Sequence, residues 1–179
     1  MGQIEIRPLA AGELDLGLFA RFQRRQEVNL CWRRAGEGWE IRPDPFIDDW
    51  SPEDYQFLVR CLQNTLAAGG LVAGAFLAGE LKGFLSVEGP PLGSRGQYAD
   101  LSSLHVSREC RGTGVGRALF RLACDFARER GAEALYISAH SAVETQEFYR
   151  AMGCVEAREY NQEHVEREPF DRQLECPLG

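Results

Sequence analysis

The chain has 179 residues, 44% of them hydrophobic and 26% charged, with a formal net charge of -7. That length suits one domain with a sizeable core. The acidic balance argues against a nucleic-acid partner, whose binding rests on Lys and Arg neutralising phosphates. No apolar run reaches the roughly 18 residues of a membrane span, and "MGQIEIRPLA" lacks a signal-peptide core. Ile6 stands where a myristoylation motif wants Ser or Thr. The expectation is a cytoplasmic protein with no membrane partner. The six cysteines form no CxxC pair and no zinc-like spacing, so reduced thiols and no metal are expected.

In chain order, "IEIRPL" alternates and predicts a first strand. Leu14, Leu18 and Phe22 lie at helical spacing and predict a helix over 13–24. Residues 25–50 hold Trp32, Trp39 and Trp50 among arginines and carboxylates, and read as a long irregular binding or self-anchored loop. Ser51-Pro52-Glu53-Asp54 is a helix start, with Tyr55, Leu58, Leu62 and Leu66 on its apolar face. "LVAGAFLAGELKGFLSVEG" predicts a hairpin turning near Ala78-Gly79-Glu80. "PPLGSRGQ" is a loop and "YADLSSLHV" a strand, whose strict alternation sets Tyr98, Asp100, Ser102, Leu104 and Val106 on one face and His105 on the other.

"ECRGTGVGRALF" follows, and Val115, Leu119, Leu122, Phe126 and Ala127 then form one helical stripe that Gly131 ends. "ALYIS" is a strand. Ser141, with Glu144 three residues on, predicts a capping box for a helix carrying Phe148 and Tyr149 and closed by Gly153. "CVEAREY" and "FDRQLEC" predict a last pair of strands around the loop "NQEHVEREP". Strand, turn, helix, strand in the middle implies a parallel pair with a helical crossover.

Gly112, Gly114 and Gly116 would let backbone amides approach a phosphate at the positive end of a helix, and Arg111 adds a charge-assisted contact. The P-loop would need Lys-Ser/Thr after Gly116, where Arg117-Ala118 stands. The dinucleotide fingerprint GxGxxG also fails, from Gly112 and from Gly114. Cys110 beside the turn has no base placed for it by sequence.

Arg111 to Gly116 resembles the R/Q-x-x-G-x-G/A signature of the GNAT acetyltransferases. "LHVSRECRGTGVGRALFRLACDFARERGAEALYIS" and "EFYRAMGC" are similar to that family's strand, pyrophosphate loop, helix, next strand and following helix. The resemblance spans residues 98–158. It implies the family's α/β (α+β) fold: a mixed, mostly antiparallel central sheet with one parallel strand pair at the CoA site and about four flanking helices. It implies a single domain over 1–179, with an acceptor-side half at 1–97, an acyl-CoA core at 98–158 and a C-terminal hairpin at 159–179. The implied donor is acetyl-CoA or another short acyl-CoA, its pyrophosphate on the amides around Arg111, Gly112, Gly114, Val115, Gly116 and Arg117. Its pantetheine would pair along the preceding strand at Leu104 and Val106.

Acyl transfer from a thioester to an amine needs a base for the amine proton and an acid for the leaving thiolate. Tyr149 matches the family's frequent general acid. Asp100 on the strand is the first base candidate, and it reads equally as a strand-end residue bonded to a turn. His164 and His140 are the alternatives. The family's Asn seven residues before the tyrosine is Ala142 here, which departs from a common CoA contact. Trp32, Phe46 and Trp50 with Asp48 and Asp49 could hold an amine; Arg24, Arg25, Arg33 and Arg34 could instead hold an acceptor carboxylate. The function expected is acetyl transfer to a primary amine of a small or amino-acid-like molecule. A protein or peptide acetyltransferase and a non-catalytic CoA-binding module are the rivals, and a homodimer is an expectation by analogy.

Overall fold

The computed structural model describes residues 2–179. Strand β1 (Ile4–Pro8) opens the chain as expected. The helix predicted over 13–24 is absent: two single 3-10 turns, Ala11–Glu13 and Leu16–Phe19, stand there. Asp15 sits between them and accepts a hydrogen bond from the Leu18 amide at 2.9 Å. That local bond and the flexible Gly12 and Gly17 compete with a continuous helix. Leu14, Phe19 and Phe22 are nonetheless buried, so the apolar spacing marked core positions without marking a helix.

The stretch read as an irregular loop is the larger correction. β2 (Arg25–Ala35) and β3 (Gly38–Asp49) form a separate two-stranded antiparallel ribbon. It reverses after Gly36, whose φ of 59° suits glycine. Pro43 and Pro45 hide β3 in the sequence, because proline cannot donate a ladder hydrogen bond. A two-stranded ribbon has only edges, and the register slips between Val28 and Leu30, which is where proline is tolerated.

Helix α1 (Pro52–Ala67) starts as predicted: the Ser51 hydroxyl accepts from the Asp54 amide at 3.2 Å and the Asp54 carboxylate from the Ser51 amide at 2.7 Å. β4 (Leu71–Leu77) and β5 (Glu80–Val87) form the predicted hairpin, with Ala78 and Gly79 at positive φ in its turn. β6 (Tyr98–Val106), α2 (Val115–Glu129), β7 (Ala134–Ala139) and α3 (Val143–Ala151) follow. Ser141 does not cap α3. Ala142 is the N-cap residue, and the Ser141 hydroxyl accepts from Arg33 Nη1 at 2.6 Å instead. The two-residue β8 (Val155–Glu156) and β9 (Arg172–Pro177) are the final strands, and the intervening loop contains the short helix α4 (Gln162–Arg167). Asn161 caps it, accepting from the His164 amide at 3.0 Å.

The main sheet runs β1-β4-β5-β6-β7-β9-β8. Only β6 and β7 are parallel; the other pairings are antiparallel. One face packs on α2 through Leu85, Val87, Leu101, Leu119, Phe120 and Ile137. Part of the other packs on α1 and the 3-10 turns through Phe19, Phe22, Leu62 and Phe84. Apolar burial on both faces is the main source of stability. Among the described residues, no helix is long and apolar enough to cross a membrane.

Candidate active site

β6 and β7 are partners only at their beginnings, Tyr98–Asp100 against Ala134–Tyr136. Beyond that point β6 stays bonded to β5 and β7 to β9. The strands part, and their facing main-chain edges have no strand between them among the described residues. Such a gap accepts an extended polar chain as an added strand.

A bulge shapes the gap. Val87 is opposite Leu101 while Ser86 is opposite Ser103, so Ser102 is an extra residue on β6. The side-chain alternation therefore shifts by one. Ala99, Leu101, Leu104 and Val106 all pack on the α2 face. The strict alternation read from sequence fails here: Leu104 and Val106 lie opposite Asp100. His105 lies on the Asp100 face, against Trp50 at 4.8 Å and Phe84 at 5.4 Å between ring centroids.

The glycine turn opens beside the end of β6. Gly112 and Gly114 have φ of 75° and 91°, and a Cβ on either would meet nothing within 4 Å. Their conformation, not crowding, requires glycine, and the cradle they form is open. Among the described residues, the Gly112, Thr113 and Gly114 amides donate to no backbone carbonyl, and the first amides of α2 are unpaired by helix geometry. Gly116 differs: its added Cβ would stand 3.2 Å from the Phe148 ring, so it lets α2, β6 and α3 approach closely. Arg111 Nε donates to the Val106 carbonyl at 3.3 Å, which ties the turn to the strand edge. The Lys82 ammonium, Ser107 and Glu109 brace the segment before the turn, with Lys82 Nζ on Glu109 Oε1 at 2.6 Å and on the Arg21 carbonyl at 2.9 Å. These unpartnered amides and the unpaired strand edges fit a pyrophosphate followed by a pantetheine arm. Cys110 is buried, and burial pushes its thiol up, away from nucleophilic use.

Tyr149 comes from α3 on the α2 face, its ring packed against Phe148 and Phe120. Burial raises its pKa, with the Asp171 carboxylate adding to the effect, so the phenol stays protonated and can donate. On the opposite face, Asp100 Oδ2 and His164 Nε2 are 2.9 Å apart. The two sequence candidates for base thus form one pair. The hydrogen bond to Asp100 raises the His164 pKa above 6.5, and the Tyr136 ring stacks on the imidazole at 5.7 Å. With Nε2–H donated to Asp100, Nδ1 carries the free lone pair.

A gap between parallel strands and a glycine turn at its mouth agree with the profile of the acetyltransferase (GNAT) family, which matches residues 29–154. The chain belongs to the GNAT acetyltransferases. It is therefore an acyltransferase enzyme. No curated protein matches it in sequence. Among solved structures it is similar to nourseothricin acetyltransferase, 20% identical with a TM-score of 0.71 over 98% of this chain and 99% of that one. A putative streptothricin acetyltransferase from Bacillus anthracis str. Ames, in complex with acetyl coenzyme A, gives 16% identity and 0.70 over 98% of both chains. The PaiA N-acetyltransferase from Thermoplasma acidophilum, in complex with coenzyme A, gives 17% and 0.60 over 98% of this chain and 99% of that one. At these identities the likeness is one of fold.

In the half expected on the acceptor side, residues 1–97, two 3-10 turns, the ribbon and α1 stand where two helices and a connecting loop were predicted. The ribbon is hydrogen-bonded to the segment after β7: the Trp32 amide donates to the Ser141 carbonyl at 2.7 Å, and Cys31 bridges Ala142. Phe46 packs on His140 at 5.5 Å, and Trp50 on His105. Trp32 lies elsewhere, its ring 4.9 Å from the Arg172 guanidinium, so the three aromatics do not form one cage. His140 Nδ1 accepts from the Ala142 amide at 3.0 Å, and burial lowers its pKa; it stays neutral and holds the loop. Arg24 is 7% exposed, with Nη2 on Asp48 at 2.7 Å and its other two nitrogens unpartnered.

Sequence reasoning missed Asp171 and Arg172. Asp171 accepts from the Ser138 hydroxyl at 3.0 Å, and burial pushes its pKa up to about 6. The sequence signal was two charges near the start of a predicted strand.

Proposed function

We propose that this enzyme moves an acetyl or other short acyl group from its CoA thioester directly to a primary amine of a small or amino-acid-like molecule. One observation carries the reading: β6 and β7 part just after Asp100, which pairs with His164, and the glycine turn with its unpartnered amides opens beside the end of β6. The amides from Gly112 to Arg117 would hold the pyrophosphate, and the β6 edge at Leu104 and Val106 the pantetheine. A β6 amide near the bulge would polarise the thioester carbonyl as charge develops. His164 Nδ1 would take the proton from the amine, an alkyl amine being mostly protonated near neutral pH. Asp100 orients that imidazole. Tyr149 would return a proton to the departing thiolate. Residues 1–179 act as one domain in this scheme.

The test is thiol release from acetyl-CoA over a panel of amines that includes nourseothricin, with the acetylated product identified by mass. Tyr149→Phe should retain CoA binding and lose turnover by about 10²–10⁴. Unchanged turnover would remove the acid role. CoA binding with no turnover on any amine would favour a non-catalytic module.

A further inference from the structure

Beside β9, the ribbon and the loop after α4 enclose a pocket of about 310 Å³, lined by Trp32, Arg33, Arg34, Trp39, Tyr160 and Asp171 among others. That is close to the lower limit of about 300 Å³ for small-molecule sites. Its chemistry is that of a donor array. The Arg172 guanidinium lies 4.9 Å from the Trp32 ring and 5.1 Å from Trp39, and that of Arg34 lies 4.5 Å from Trp39. Rings and cations thus alternate. Stacking covers guanidinium faces and leaves the in-plane N–H fork, of which Arg172 spends Nη1 on Gln146 Oε1 at 3.2 Å and Arg34 places Nη2 3.4 Å from the Tyr160 hydroxyl.

Those forks lack an anion. Arg33 is paired with Asp44 and Arg42 with Glu40. Among the described residues, neither Arg34 nor Arg172 has a carboxylate within 4.0 Å. Glu156, close by, accepts on Oε1 from the Tyr160 hydroxyl at 2.6 Å and from Trp39 Nε1 at 3.3 Å. Among the described residues, Trp32 Nε1 and Arg172 Nε are buried with no hydrogen-bond partner. Two like charges side by side, with two buried N–H groups unsatisfied, call for oxygen acceptors carrying negative charge. The one carboxylate in the lining is Asp171, bonded to Ser138 of β7. Ser138 lies on β7, which borders the gap, so Asp171 ties the pocket lining to that strand.

We infer that this pocket takes the body of an acceptor that is both an amine and a carboxylate, a free amino acid or close analogue. Its carboxylate rests on Arg34 and the Trp32 indole, with the Arg172 charge stacked on the Trp32 and Trp39 rings, and its amine lies toward Asp171. The inference rests on the acyl-transfer reading for its kinetics, and a binding measurement keeps the two separable.

Phenylalanine and leucine are compared with phenylalaninamide and leucinamide, as acetyl acceptors and as calorimetric ligands of the CoA-loaded enzyme. The acids should be preferred in kcat/KM by about tenfold or more. Arg34→Gln should raise their KM by a similar factor and leave kcat, the KM for acetyl-CoA and thermal unfolding nearly unchanged, while Arg34→Lys recovers part of the affinity. Calorimetry should show phenylalanine binding to the wild type and not to R34Q. Discrimination by calorimetry without turnover would overturn the acyl-transfer reading and keep the pocket. Acids and amides treated alike in both assays would overturn the pocket.

Discussion

His164 is 64 positions from Asp100 in sequence and 2.9 Å from it in space. A neutral imidazole is the working base, so its pKa sets the pH below which turnover is lost. Asp100 raises that pKa above 6.5, and kcat should therefore climb with pH through an inflection above the ordinary histidine value. Asp100→Asn removes the carboxylate that stabilises the imidazolium, so the inflection should move to lower pH, with a lower plateau from a poorly oriented ring. His164→Gln should lower kcat by about 10²–10⁴. An inflection that stays in place in the Asp100→Asn variant would remove the pair from the chemistry. The same linkage acts on folding. The folded pKa lies above the unfolded one, so the pair's stabilisation is fully present below about 6.5 and fades as pH rises through the folded value. Asp100 was singled out through the family resemblance and its place on the strand, and His164 separately through its residue type and position. Their contact was not legible, because nothing local links a mid-strand aspartate to a histidine beyond α2, β7 and α3.

At the scale of elements, the ribbon of β2 and β3 is held to the site by a few bonds to one tripeptide. Trp32 donates its amide to the Ser141 carbonyl at 2.7 Å, and Arg33 Nη1 donates to the Ser141 hydroxyl at 2.6 Å. Ser141→Ala removes the second bond and leaves the first. Arg33 keeps Asp44 as a partner, so the cost should be about 1 kcal/mol, that of an ordinary hydrogen bond and less than that of one to an otherwise unpaired charge. The ribbon's looser seating should raise KM for the acceptor and leave KM for acetyl-CoA unchanged, a split that steady-state kinetics and urea unfolding together would show. Equal changes in both KM values would mean that the ribbon does not build the acceptor side. Elements written in local chemistry were legible: the Ser51 cap, the turn at Ala78-Gly79, the glycine turn into α2. The ribbon was masked by Pro43 and Pro45. The β6 bulge had a signal that strict alternation overlooks, since two serines separate the core residues Leu101 and Leu104 where one would keep the period.

Over the whole molecule, the β6–β7 gap divides the sheet. β1, β4, β5 and β6 form one side and β7, β9 and β8 the other, joined by three residue pairs at Tyr98–Asp100 and by the helices over them. An acyl-CoA chain lying along β6 would give main-chain partners to an edge that has none and would tie the two sides together. Binding to the folded state alone stabilises it by about 2.7 kcal/mol at a hundredfold excess over Kd. For a chain of this size each kcal/mol is worth roughly 2–4 °C in Tm, so saturating acetyl-CoA should raise Tm by about 5–10 °C. The distribution of the effect is the sharper test. Amide hydrogen exchange should slow over residues 102–106 of β6 as well as over 112–117, because the first segment meets the pantetheine and the second the pyrophosphate. Slowing confined to 112–117 would mean that the glycine turn binds phosphate while the gap stays out of the complex. The Asp–His pair would then have no thioester within its reach.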